Sequence, residues 1–412
     1  MTKDRDLKTA VRSGMATIRF GIQLPGHATV EIARLAAPPS AVEIHDALDR
    51  PDGYPAISQA VVSGDRVVIA ASAAVPFLTE LVAGVAGYLV AAGIERGDIK
   101  VCVAAHCVID ETSFRLHVGD SPVVADERGH IRLTRCQKMS AVDELTADVF
   151  GYLAADDDAN PIYVRRELLD ADFIIPIVAC GDSFERQIAA VGGIVPYFVD
   201  AATRRRWDLR HLPDASGAAG EMIEEVPWLL GLQAAVLTHG DAAGEQNLSV
   251  MSIDRIGQLE VDSLPRSDDN QRVDTVPVPV DLVITEATVG PHRPTWDGVA
   301  VTLRRAAQRL PRRGRILLIC DELPLQATGG DVIDNARGYS EVVEALKDRD
   351  ADDSLALAGI AAVGEQHSVF VYRAKPHADD PAWWEYVESV TGCEQLMRTS
   401  QNPLVLANAH PE

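Results

Sequence analysis

The sequence predicts an α/β protein of two domains, each with a mainly parallel sheet flanked by helices and with a ligand cleft between them. Three observations carry that prediction. The chain has 412 residues, more than one hydrophobic core usually organises. Short apolar runs, several rich in β-branched residues, alternate with helical patterns at the spacing of βαβ units. A polar stretch flanked by prolines then separates these runs into two groups.

Residues 67–94 carry a single charge, Glu80, over a length that could span a membrane. They read better as a buried strand opening on Val67, Val68 and Ile69, a break at Pro76, and a mostly buried helix closed by Gly93 as a C-cap. Residues 100–105 form the next strand, and strand–helix–strand at this spacing implies parallel pairing. Further strands are expected at 161–165, 173–179, 233–237 and 248–253, filling a first domain over residues 1–262. Residues 263–277, with Ser267, Asp268, Asp269, Asn270 and Gln271, have linker composition. The second domain, 278–412, is expected to hold strands at 280–285, 314–320 and 368–373 and helices at 296–310 and 336–347. The tail beyond residue 377 is free to pack back on the first domain.

The chain carries 38 Lys and Arg against 61 Asp and Glu, a net charge of −23, and no basic stripe. Nucleic acid and membrane surfaces are therefore poor partners, and a small molecule is the partner expected. The dense basic run Arg204, Arg205, Arg206, followed by Trp207 and Asp208, reads as a solvated turn. None of the six cysteines forms a C-x-x-C pair, so neither a disulfide framework nor a zinc site is indicated, and several close apolar runs where a buried, reduced thiol would sit. Residues 1–12 are charged and lack the apolar stretch of a secretory signal. A cytoplasmic location is the expectation.

Ligands of parallel α/β sheets bind beyond the carboxyl ends of strands, which singles out residues 72–76, 106–113, 181–193 and 288–295. No Walker A loop, dinucleotide glycine fingerprint, nucleophile elbow or H-E-x-x-H is present. His106 directly follows an apolar strand and precedes the acidic pair Asp110 and Glu111, where a general base would face a cleft. A histidine there can equally be structural. Residues 181–193 carry Asp182, Glu185 and Arg186 and end in Gly192 and Gly193; they read as a ligand loop or as a helix N-terminus with a solvated charge cluster.

Residues 64–69, the stretch NPIYVRREL at 160–168, ADFIIPI at 171–177, Gly181, the Gly192–Gly193 pair, DLVITEA at 281–287 and GRILLIC at 314–320 together resemble the nickel-pincer lactate racemase family. The resemblance covers most of the chain and rests on scaffold motifs. It implies two α/β domains with a nickel-containing pyridinium nucleotide in the cleft between them. That nucleotide takes hydride from the α-carbon of a 2-hydroxy acid and returns it, while two histidines trade the hydroxyl proton from opposite faces.

Carried across by position, His106 matches the first catalytic histidine, and the second falls on Glu185. The lysine that tethers the cofactor falls on Val195, so any pincer nucleotide is expected to be held without a covalent bond. The metal-ligating histidine falls on His211, which also reads as an ordinary surface-loop histidine. Of two ligand contacts in the first βα loop, an Asp becomes Ser72 and an Arg becomes Val75. A cationic position of the second domain falls on Arg293, suited to an anion. A base role for Glu185 requires burial to raise its pKa. The expected function is racemisation or epimerisation of a 2-hydroxy acid; the alternative is a non-catalytic binding or regulatory protein on the same scaffold.

Overall fold

The computed structural model describes residues 22–33, 38–72, 75, 77–104, 132–136, 149–156, 158–180, 183–210, 225–240, 246–257, 279–286, 296–311, 313–320, 336–348, 354–373 and 384–408. The chain divides into two compact units, Ala36–Asn270 and the flanking segments Met1–Leu35 with Gln271–Glu412. Strand β1 (Thr29–Ala33) opens the chain but pairs in parallel with the last strand, so it serves the sheet of the C-terminal residues.

The sheet of the Ala36–Asn270 unit is built from β2 (Val67–Ala71), β3 (Ile99–Ala104) and β4 (Arg132–Cys136). A separate antiparallel pair, β5 (Phe150–Ala155) and β6 (Pro161–Arg165), follows in sequence. Then β7 (Phe173–Ala179), β8 (Ala234–Gly240) and β9 (Gln246–Ser252) complete the sheet in the order β4-β3-β2-β7-β8-β9. All its pairings are parallel except β8 with β9. Strand β2 (VVIAA) is buried along its whole length, as a central parallel strand covered on both faces must be.

Helix α1 (Ala41–Asp49) begins with a capping box between Ser40 and Glu43. It meets α2 (Leu78–Ala91) so closely that a β-carbon on Gly84 would stand 2.3 Å from Ile44 Cδ1. The apolar run 67–94 is thus a strand and a 14-residue helix. Gly93, at φ +99°, donates to Val90 and Ile94 donates to Leu89, a Schellman ending in which glycine takes the left-handed position without Cβ strain. Among the described residues no helix is long and apolar enough to cross a membrane.

Helices α3 (Ser183–Ala190) and α4 (Ala201–Arg210) follow β7. The arginine run expected to form a solvated turn lies inside α4. Arg204 is 2% exposed, and its Nε stands 3.8 Å from Asp208 Oδ2, itself buried. The helix is held at its start by Asp200, whose buried carboxylate accepts from the backbone of Ala202 and Tyr163 and from the Thr203 hydroxyl. Arg206 ties it to the β5–β6 pair through Asp156 at 3.0 Å and the Pro161 carbonyl at 2.9 Å. Adjacent arginines read as surface because a charge leaves water at great cost unless it is paired; here the i,i+4 aspartate supplies a partner.

The second unit contains β10 (Leu282–Glu286), α5 (Trp296–Ala307), β11 (Arg315–Cys320), α6 (Tyr339–Asp348), α7 (Ser354–Gln366), β12 (Ser368–Arg373), β13 (Glu385–Tyr386), α8 (Val390–Arg398) and β14 (Pro403–Asn408). Its sheet is parallel throughout, in the order β1-β14-β10-β11-β12-β13. The tail past residue 377, expected to have the option of joining the first domain, contributes β13 and β14 to this sheet. Helices α5 and α7 pack on each other, α5 also on β10 and β11 and α7 on β12. The opposite face buries Leu282, Ile284, Leu317 and Ile319 against Cys393 and Met397 of α8 and its surroundings. Cys102, Cys180, Cys320 and Cys393 are buried, as the apolar runs around them suggested. The segment expected to act as linker, 263–277, lies outside the described residues.

Candidate functional site

The carboxyl ends of β2 and β7, adjacent in the centre of the first sheet, gather most of the described residues singled out in the sequence. Ser72 directly follows β2 and is 1% exposed. Its backbone N–H donates to the Ile177 carbonyl at 3.0 Å and its hydroxyl donates to the same oxygen at 3.3 Å. The side chain is therefore engaged with β7, the neighbouring strand.

Gly192 and Gly193 close α3. Gly192 donates to Ala189 at 2.9 Å and Gly193 to Ile188 at 2.8 Å, with φ of +61° and +65°, the bonding of a Schellman terminus. The space a side chain would occupy is filled by protein. A β-carbon on Gly193 would lie 2.5 Å from Val178 Cγ1 and 3.0 Å from Ser72 Cβ, and one on Gly192 would lie 2.5 Å from Leu232 Cδ2. Ser72 and Gly193 are thus brought together, as neighbours in a close-packed turn. Ile194 and Val195, the next residues, are fully buried.

Glu185 lies on α3, so its segment is helix from Ser183 onward and not an open ligand loop; its side chain falls outside the described residues. His106, His211 and Arg293 also lie outside them. The last residue of α4, Arg210, directly precedes His211 in the sequence. The sequence reading missed this helix. Two signals mark it: an aspartate just ahead of its first turn and an Arg–Asp pair at i,i+4.

The second unit carries polar groups at the corresponding ends of its strands. Cys320 closes β11, Arg373 closes β12 and Tyr386 closes β13, with Trp296 at the start of α5. Arg373 stands over the Tyr386 ring, its guanidinium carbon 5.6 Å from the centroid, and burial pushes the Tyr386 phenol well above its ordinary pKa. The strand-end rule reaches these residues once β12 and β13 are placed. Among the described residues no cluster of His, Cys, Asp and Glu is suited to a metal.

Neither a family model nor a curated protein matches the chain. Solved structures do. The lactate racemase apoprotein from Thermoanaerobacterium thermosaccharolyticum aligns over 90% of this chain and 92% of its own, with a TM-score of 0.56 and 12% identity. The fold is that of lactate racemase. A Thermotoga maritima protein determined by the Northeast Structural Genomics Consortium aligns over 90% of this chain and 96% of its own, with a TM-score of 0.60 and 13% identity. At these identities the likeness speaks for the fold, because folds outlast the sites grafted on them.

On the lactate racemase fold, the resemblance puts the tether of a nickel-pincer nucleotide at Val195. That residue has no amine and no exposed surface. The glycine pair ahead of it is packed against Val178, Ser72 and Leu232, which accounts for both glycines by chain packing alone.

Proposed function

We propose that the protein is a racemase or epimerase of a 2-hydroxy acid. The observation that carries this reading is the lactate racemase fold, aligned over nine-tenths of both chains. His106 and Glu185 are the proposed bases, exchanging the substrate hydroxyl proton on its two sides, and Arg293 binds the carboxylate. A nickel-pincer nucleotide, with His211 toward its metal, is the proposed cofactor, bound without a covalent link because Val195 offers no nucleophile. Ser72, Gly192 and Gly193, packed together where β2 and β7 end, are proposed to border the cofactor.

One observation favours a second reading, a non-catalytic binding or regulatory protein: apolar side chains and the Ser72–Ile177 bonds occupy the strand ends where the tether and a charged contact are expected. The experiment that separates the two is racemisation, assayed over a panel of 2-hydroxy acids with protein produced beside the cofactor pathway. Interconversion of one acid's enantiomers or epimers is the result expected. A protein that carries nickel yet turns over none of them belongs to the second reading.

A further inference from the structure

The carboxyl ends of β11, β12 and β13 hold an arrangement that the lactate racemase likeness does not assign. Tyr386 is in register with Val371, and Cys320 with Arg373. In parallel pairs, register partners share a face and residues two apart on one strand point the same way. Tyr386, Val371, Arg373 and Cys320 therefore all lie on one face of the sheet, and Trp384 immediately precedes β13. The contacts of α5 and α7 identify it as the face that these two helices cover, since the other is taken by the core containing Leu317, Ile319 and Tyr372. Trp296, at the start of α5, meets Trp384 with ring centroids 6.2 Å apart. The phenol and the guanidinium thus share one face, with Arg373 at the carboxyl end of β12, and the Trp296 indole lies against Trp384, two residues before Tyr386; parallel α/β proteins take ligands at such strand ends.

Two of these groups lack the partners that burial ordinarily requires. Trp296 is 5% exposed, and its Nε1 meets no acceptor; the Tyr386 hydroxyl is buried and meets neither donor nor acceptor. Buried polar groups are nearly always hydrogen-bonded, and an exception calls for an explanation. An indole N–H can only donate and a guanidinium can only donate, so what satisfies this cluster must bring acceptor oxygens. The cation over the Tyr386 ring makes a negative charge the favoured one. Glu286, the acid ending β10, is separated from Arg373 by the intervening strand β11, and Glu385 is exposed on the neighbouring position of β13.

We infer that the carboxyl ends of β11–β13 form an anion site, in which Trp296 Nε1, the Tyr386 hydroxyl and Arg373 take the oxygens of a carboxylate or phosphate group. The inference does not rest on the isomerase reading: it concerns binding, requires no cofactor, and uses none of the residues proposed as bases.

The test titrates the full-length protein, 15N-labelled at tryptophan and free of cofactor, with inorganic phosphate and separately with acetate. The indole N–H resonance of Trp296, assigned by its absence in Trp296→Phe, is expected to shift saturably with at least one of them. Saturation by phosphate alone identifies a phosphate-bearing ligand, by acetate alone a carboxylate, and either outcome supports the site. Tyr386→Phe keeps the ring beside Arg373 and should melt with the wild type, because it deletes a hydroxyl that has no protein partner. It should nonetheless weaken the anion about tenfold, the worth of one hydrogen bond to a charged group. No saturable shift with either anion, or an affinity in Tyr386→Phe within about twofold of wild type, overturns the inference.

Discussion

At its amino end each large sheet is pinned by one aspartate–arginine pair. Ahead of β2 and β7, Asp172 accepts from the Arg66 backbone and guanidinium, at 2.9 and 3.0 Å. Ahead of β10 and β11, Asp281 accepts from Arg315 at 2.8 Å and from the backbone of Asn402 at 2.9 Å. At their carboxyl ends the two sheets part company. The first is filled by its own atoms, with Gly193 pressed between Val178 and Ser72; the second leaves an indole N–H and a phenol buried without partners. The difference teaches that the shared architecture fixes where a site can form, while side-chain chemistry decides whether a strand end is closed by packing or left with groups for a ligand.

The closed character of the first sheet's surroundings is most sharply tested at α4. Asp208→Ala removes the carboxylate paired with the buried Arg204 guanidinium, and urea unfolding should show a loss of about 3–5 kcal/mol. A loss under about 1 kcal/mol, the worth of an exposed pair, would mean that the run is solvated after all. Next in size is Gly193→Ala, which adds a Cβ within 2.5 Å of Val178 at a left-handed φ. Strain and overpacking together predict a loss of about 2–4 kcal/mol. A neutral Gly193→Ala would show that the turn has room, and would break the contrast between the two sheets.

The amino-end pairs give the smallest effect. Burial works to raise the Asp281 pKa, but donors from Ser400, Asn402, Gln401 and Arg315 hold it down at about 2; Asp172 is likewise held at about 2, chiefly by Arg66. A carboxyl depressed in the folded state binds fewer protons there than in the unfolded chain. Its stabilisation is therefore present above the unfolded value near 4 and lost as pH falls from about 4 toward 2. Asp281→Asn should remove about 1 kcal/mol of that acid sensitivity, the partial exposure of the pair limiting the figure. Asp172→Asn, at an exposed pair, should flatten the acid limb less. The reverse order in parallel pH titrations of unfolding would contradict the geometry.

Much of this fold was legible because its central strands are short, apolar and regularly spaced. Residues 67–71, 99–104, 173–179, 282–286, 315–320 and 368–373 announce themselves by composition. The pairing of β1 with β14 was not, since contact between residues 29 and 404 leaves no local trace. Helix α7 escaped because it is buried nearly all round and lacks amphipathic periodicity; Gly364 within it makes room for the Tyr339 ring. Ser72, Gly192 and Gly193 were singled out by strand-end position, which could not tell a ligand contact from a helix terminus. Tyr386 and Trp296 were passed over because an unsatisfied hydrogen bond is a property of three-dimensional packing and not of any sequence pattern.

The central claim, that this lactate racemase fold works as an isomerase with His106 as a base, is tested most directly by His106→Ala. Turnover of the best 2-hydroxy acid and thermal unfolding are measured on the same cofactor-loaded preparations of mutant and wild type. The account predicts that kcat falls about 10²- to 10⁴-fold, the usual share of general acid–base catalysis, with the melting temperature unchanged. A mutant that melts earlier yet turns over at the wild-type rate per folded molecule would remove His106 from the chemistry and contradict the account.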